Sequence, residues 1–191
     1  MPNNRFSAVQ LTLLSVIVAL ILENLLNQFS DSTLGWSSVL PWLQSAAIAI
    51  TVVSVWSGFA LILSTSERQP ETVDFIYPFG LLITLTLAAN SLGNTQLLNF
   101  FTFLSLSGLF ASWALRTELR DLEANSGQAI GVRRALYIQA ANTGLSVLMA
   151  LLFLATSPPQ AVVIFALTIG VILPIFAALG TMRGWRFISD A

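Results

Sequence analysis

The chain contains no cysteine, no histidine and no lysine. Without cysteine there is no disulfide framework, no thiolate nucleophile and no sulfur-ligated metal. Without histidine the commonest general base, the commonest metal ligand and the usual sensor of neutral pH are all missing. Without lysine no alternative amine base exists, and every positive charge is an arginine. Charge is scarce altogether: 9% of the 191 residues are charged and 55% are hydrophobic, whereas soluble domains carry roughly a quarter charged residues. The net charge of −1 and the lack of a dense basic patch exclude a nucleic-acid role.

What remains is apolar sequence over the whole length, at a mean hydropathy of +0.81. No polar block is large enough to fold separately, so residues 1–191 are read as a single polytopic membrane domain. A hydrocarbon core about 30 Å thick needs roughly 20 apolar residues of helix. Six segments meet or approach this: 6–28, 41–64, 76–93, 96–115, 135–156 and 161–182. The expected fold class is therefore an all-α integral membrane protein, a bundle of six transmembrane helices. The turn-forming run "NSLGNTQ" separates the third and fourth segments as a tight hairpin. Pro158 and Pro159 mark a second hairpin, at or just before the first turn of the sixth segment, and Pro41 opens the second. The first apolar run is longer than a signal-peptide core and lacks a small-residue cleavage site after it, so it reads as an uncleaved anchor.

Six spans put the N-terminus, the 65–75 loop, the 116–134 loop and the C-terminus on one side. Arg5, Arg68, Arg116, Arg120, Arg133, Arg134, Arg183 and Arg186 all fall on that side. Positive residues in short loops stay inside, so both termini are expected in the cytoplasm. The expected location is the plasma (inner) membrane of a bacterium. Trp36 and Trp42 at the outer ends, with Trp113 and Trp185 at the inner ends, fit an aromatic belt; Trp56 lies within the second span. The polar run 116–134 reads as a cytoplasmic extension of the fourth helix, "RTELRDLEA", broken by "NSGQ".

Lipid gives helices no hydrophobic reason to associate, so close contact depends on small and weakly polar residues. Each span has such a stripe. The first carries Ala8, Thr12, Ser15, Ala19, Glu23 and Asn27, and the second Gln44, Ala47, Thr51, Ser54 and Gly58. The third offers Gly80, Thr84, Ala88 and Ser91, and the fourth Thr102, Ser105, Gly108 and Ser112. Ala135, Gln139, Asn142 and Ser146 follow in the fifth, then Ala166, Gly170, Pro174 and Ala177 in the sixth. These faces are expected to pack inward with lipid on the outside, and Pro174 is expected to kink the last helix. "YPFGLL" at 77–82 and "LPIFAAL" at 173–179 resemble each other faintly, too little to establish a repeat of three spans upon three.

Polar residues in the spans form an outer and an inner group. Glu23, Asn24, Asn27, Gln44, Asn90 and Asn99 make the outer one; Asp74, Tyr77, Gln139 and Asn142 make the inner one, with Arg134 at its mouth. Glu23 lies on the order of 3–5 Å inside the outer boundary, by a rise of 1.5 Å per residue. It reads either as a protonatable or cation-binding group facing inward with Asn27, or as an interfacial helix end. Asp74 reads as a cap of the third helix, or as a partner of Arg134 or Arg68. The amides of Gln139 and Asn142 must face protein or a wet cavity.

An enzyme is not expected. Glu23 and Asp74 fall near opposite membrane faces and cannot act as an acid/base pair, and the serines have no histidine or lysine beside them. No catalytic residue, metal or cofactor is assigned. The reading favoured is a channel or carrier for an ion or small solute, with Glu23, Asn27, Gln44, Asn90, Asp74 and Asn142 along its polar path. The alternative is a non-catalytic scaffold or assembly subunit. The expected partners are the lipid bilayer and, through small-residue faces, a second copy of the chain; no soluble partner is identifiable.

Overall fold

A computed structural model describes residues 3–29, 38–65, 73–121 and 127–189. These residues form six α-helices: α1 (Asn3–Gln28), α2 (Val39–Thr65), α3 (Val73–Ala89), α4 (Leu97–Asp121), α5 (Gly127–Ala155) and α6 (Gln160–Ser189). A short 3-10 turn at Asn94–Gln96 leads into α4, and the described residues include no strand. Helices satisfy every internal backbone group within one segment, which long apolar runs require in lipid. Four of them, α1, α2, α4 and α5, are long and apolar enough to cross a membrane. The apolar parts of α3 and α6 among the described residues are shorter, Ile76–Ala89 and Gln160–Phe176. The chain has the helices of an integral membrane protein.

The helix ends depart from the hydropathy boundaries in several places, most running past the apolar stretch into polar sequence. Helix α5 begins at Gly127 rather than near 135, because hydropathy marks where the apolar part starts and not where helical hydrogen bonding starts. Helix α3 stops at Ala89 rather than 93. Its last turn closes through Asn90 N–H to Thr86 O and Ser91 N–H to Ala88 O, both 3.0 Å. Gly93 then turns the chain with a φ of 97°, which a residue bearing a Cβ adopts only under strain. Helix α4 continues to Asp121, as the propensity of "RTELRD" requires.

The helices form a ring in the order α1, α2, α6, α5, α4, α3, and α3 closes on α1. Helix α2 also touches α3 and α4, so it leans across the middle of the ring. Helix α1 packs on α3, but α4 has no comparable contact with α6 among the described residues, so the neighbours do not repeat three upon three. Side-chain contacts fix which ends lie together. Phe29 after α1 meets Trp42 in α2 with ring centroids 5.2 Å apart, and Phe101 in α4 stacks on Phe153 in α5 at 6.0 Å. Hydrogen bonds also link the ends of α1 and α3, and the start of α2 to the α3–α4 turn. The ends of α1, α3 and α5 and the starts of α2, α4 and α6 therefore share one end of the molecule. Arg5, Arg116, Arg120, Arg133, Arg134, Arg183 and Arg186 all lie toward the other end by their places in these helices. Arg68 lies outside the described residues.

Five helices turn their small-residue stripe inward: Ala47 and Thr51, Thr84 and Ala88, Ser105 and Gly108, Asn142 and Ser146, Ala166 and Gly170 are buried. Helix α1 does the opposite. Its buried residues are Leu14, Ile17, Ile21 and Leu25, while Thr12, Ser15, Ala19, Glu23 and Asn27 are exposed. The expectation of an inward small face fails here. Helix α1 sits in the ring between α2 and α3 and fills its contacts with branched side chains, packed with Val52, Leu81 and Leu85.

Candidate functional site

The candidate residues belong to separate environments, beginning with the end of the bundle away from the arginines. At that end the parallel helices α1 and α3 are tied by amides. Asn24 Nδ2 donates to Asn90 Oδ1 at 3.3 Å and reaches Thr86 O at 3.5 Å, while Gln28 Nε2 donates to the same Asn90 oxygen at 3.3 Å. Asn90 thus accepts two hydrogen bonds and acts as a fastener between helix ends. Gln44, in the second turn of α2, is fully buried. Its Oε1 accepts the Gly93 N–H at 2.8 Å, holding the α3–α4 turn against α2. Its Nε2 is buried without a partner among the described residues.

Glu23 and Asn27 share one face of α1 a turn apart, and both are exposed. Glu23 stands two residues from Ile21 and two from Leu25, both buried, which places it on roughly the opposite side of the helix at about 100° per residue. Its carboxylate is directed away from the bundle and has no hydrogen-bond or ion-pair partner among the described residues. Farther along the same helix Ser15 Oγ donates to Leu11 O at 2.8 Å and accepts Trp56 Nε1–H at 3.1 Å. That bond explains why Trp56 stands within a span rather than at a boundary: its ring lies along α1 and its N–H is satisfied there. Of the other tryptophans, Trp42 and Trp113 are exposed; Trp36 lies outside the described residues, as does the side chain of Trp185.

The inner group is dispersed as well. Asp74 is the second residue of α3; its side chain lies outside the described residues. Tyr77 is buried, at 1% exposure. Gln139 is half-buried, and its backbone carbonyl accepts the Thr143 hydroxyl at 2.8 Å. Asn142 lies eight residues beyond Arg134, about 12 Å along α5. It is 5% exposed. A Cβ placed on Gly170 of α6 would stand 3.4 Å from Asn142 Oδ1, an ordinary contact distance, so the amide lies against that helix.

Most hydroxyls in the spans are committed to their own helix. Thr84, Ser91, Ser105, Thr143, Ser146 and Thr168 each donate to a carbonyl four residues back. This is how lipid-embedded helices satisfy such groups without opening water-filled space. Ser45 Oγ, Thr51 Oγ1 and Ser112 Oγ are buried without a partner among the described residues. Thr51 and Ser112 belong to the small-residue stripes legible in the sequence and Ser45 does not; nothing in the chain distinguishes an unsatisfied hydroxyl from a back-bonded one. A cavity of about 20 Å³ lies between α1, α2 and α3, lined by Leu14, Ile17, Ile21, Val52, Leu81 and other apolar groups. It has room for about one water but no polar lining to hold it, so it stays dry. No group of three carboxylate, imidazole or thiol side chains capable of holding a metal occurs among the described residues.

The structure therefore joins Asn24, Gln28 and Asn90, and joins Gln44 to Gly93. It does not bring Glu23, Gln44 and Asn142 around one space. Neither a protein-family model, nor a curated protein, nor a solved structure matches this chain.

Proposed function

We propose that the protein is a non-catalytic membrane scaffold or assembly subunit, whose outward polar edge on α1 is its contact surface within the bilayer. The observation that carries this reading is the inversion of α1: Thr12, Ser15, Ala19 and Glu23 face outward while Leu14, Ile17, Ile21 and Leu25 face in. Small and polar residues gain nothing from acyl chains, and they let another helix approach closely and hydrogen-bond. A carboxylate at the end of that edge adds a specific acceptor. In this reading the chain crosses a bacterial plasma membrane six times with both termini in the cytoplasm. The support is the gathering of arginines at one end of the bundle, together with short loops.

Because the chain has no cysteine, single cysteines test the edge directly. Ala19→Cys is expected to give an oxidative cross-link, to a second copy or to another membrane protein, in native membranes. Leu148→Cys, on the exposed face of α5, is expected to give none. Equal cross-linking at both positions, or at neither, sinks the reading.

Transport is the second reading, favoured by the unpartnered polar atoms of Gln44, Ser45 and Thr51 along the central helix α2. Buried groups of this kind commonly bond water. It predicts ion or solute flux in proteoliposomes above that of protein-free vesicles, reduced by Thr51→Val. Flux equal to that of the empty vesicles removes it.

A further inference from the structure

The lipid-facing surfaces of α4 and α5 each pass from an exposed aromatic to exposed arginines as they approach the arginine-bearing end. On α4 the exposed residues run Leu106, Leu109, Trp113, Arg116, Arg120, spaced three or four apart on one face. On α5 the exposed residues nearest that end are Ile130, Arg133, Arg134 and Tyr137. Trp113 is 45% exposed and Tyr137 67%. Each aromatic stands three residues from an arginine on the membrane-distal side, Arg116 and Arg134 respectively. Aromatic rings of this kind sit at the headgroup level of a bilayer, so the guanidinium groups lie about one turn beyond, at the depth of the phosphates. Helices α4 and α5 are direct neighbours, and the short segment 122–126 joins them at this end.

Charge decides what these arginines meet. None of Arg116, Arg120, Arg133 and Arg134 has an ion-pair partner among the described residues, and all four are exposed. Glu118, Asp121 and Glu123 follow Arg116 on the α4 side, with side chains outside the described residues. Between Ala124 and Ser189, by contrast, the sequence contains no aspartate or glutamate, and Arg183 and Arg186 add two further arginines to the same end on the neighbouring α6. Arginine presents a planar fork matched to phosphate oxygens, and it is less strongly hydrated than lysine.

We propose that the inner end of the α4–α5 hairpin is a binding site for the phosphodiester headgroup of an anionic phospholipid. Trp113 and Tyr137 flank the glycerol level and Arg116, Arg120, Arg133 and Arg134 hold the phosphate. The site requires the chain to lie in a bilayer but does not depend on the scaffold reading. A free phosphate offers the same oxygens without the acyl chains, and the exposed Leu106 and Leu109, on the bilayer side of Trp113, favour the lipid.

The test uses the full chain reconstituted into vesicles of equal phosphatidylglycerol and phosphatidylcholine, extracted in mild detergent, with retained lipids quantified. Each arginine near an anionic surface contributes about fivefold in binding, so phosphatidylglycerol is expected at fivefold or more over phosphatidylcholine. R116Q/R120Q and R133Q/R134Q should each lower that preference at least fivefold. The four-lysine variant, R116K/R120K/R133K/R134K, keeps the charge but loses the planar fork, and its preference should fall between those of the unaltered protein and the glutamine pairs. Retention of both lipids alike by the unaltered protein overturns the proposal, as does an unchanged preference in both glutamine pairs. Displacement of phosphatidylglycerol by millimolar inorganic phosphate would also overturn it, by showing that the arginines take free phosphate. A pair variant that fails to fold, judged by helicity, is replaced by the single variants R116Q and R134Q, which are held to the same criterion.

Discussion

At Gly108 the backbone of α4 lies so close to α5 that an added Cβ would overlap Thr143 Oγ1 and crowd Thr143 Cβ at 3.0 Å. The partner is a β-branched side chain whose hydroxyl already donates to Gln139 O, so it has little freedom to move. Gly108→Ala is expected to destabilise the bundle by roughly 1–3 kcal/mol, read as a lower melting temperature in detergent. Adding Thr143→Ala should recover part of that loss; a double variant as unstable as the sum of the singles would show that the crowding lies elsewhere. Gln44 makes a different kind of contribution. Replacing it with leucine leaves the Gly93 N–H without its acceptor at a buried position, a cost of roughly 1–3 kcal/mol. Faster amide exchange at Gly93 and the flanking turn is the measurement that follows this bond alone.

At the level of the helix, α1 is where pattern and packing part company. Its stripe of Thr12, Ser15, Ala19, Glu23 and Asn27 has the same spacing as the stripes that face inward on the other five helices. Spacing shows that residues share a face; it does not show which face meets protein. That choice depends on the neighbours, and α1 lies against the branched side chains of α2 and α3. The inversion makes a sharp prediction. Leu14→Ala, at 3% exposure, should cost about 1–2 kcal/mol of packing, since lipid matches the core in polarity and only the contacts are lost. Leu20→Ala, at 48% exposure, should change stability little, within about 0.5 kcal/mol. Equal losses at both positions would place α1 in a different rotation. The same inversion bears on Glu23. In the sequence its depth is legible from the length of the apolar run, but its direction is not, because a helix turns through about 100° per residue and the chain does not reveal where its neighbours stand.

For the whole molecule, the arrangement of ends follows from a few contacts: Phe29 with Trp42, Asn24 with Asn90, Gln44 with Gly93 and Phe101 with Phe153. With alternate helices reversed, Asn94→Cys and Ser157→Cys are expected to react with an impermeant maleimide added to intact cells. Gly127→Cys is expected to react only after the membrane is opened. Labelling of Gly127→Cys in intact cells would reverse the proposed orientation, and mixed labelling of Asn94→Cys and Ser157→Cys would contradict the count of six spans.

The sequence by itself determined the class of molecule: too little charge for a soluble domain, apolar runs of helix-spanning length, turn residues between them and arginines confined to alternate loops. Each of these depends on composition or on distance along the chain, which survive without knowledge of neighbours. Tertiary structure alone decided the order of helices in the ring, the outward rotation of α1, and the separation of Glu23, Gln44 and Asn142 into unrelated environments. Those depend on contacts between residues far apart in the chain, where Gly93 meets Gln44 and Asn142 meets Gly170. A small-residue stripe is compatible with either side of a helix until a partner helix takes one of them.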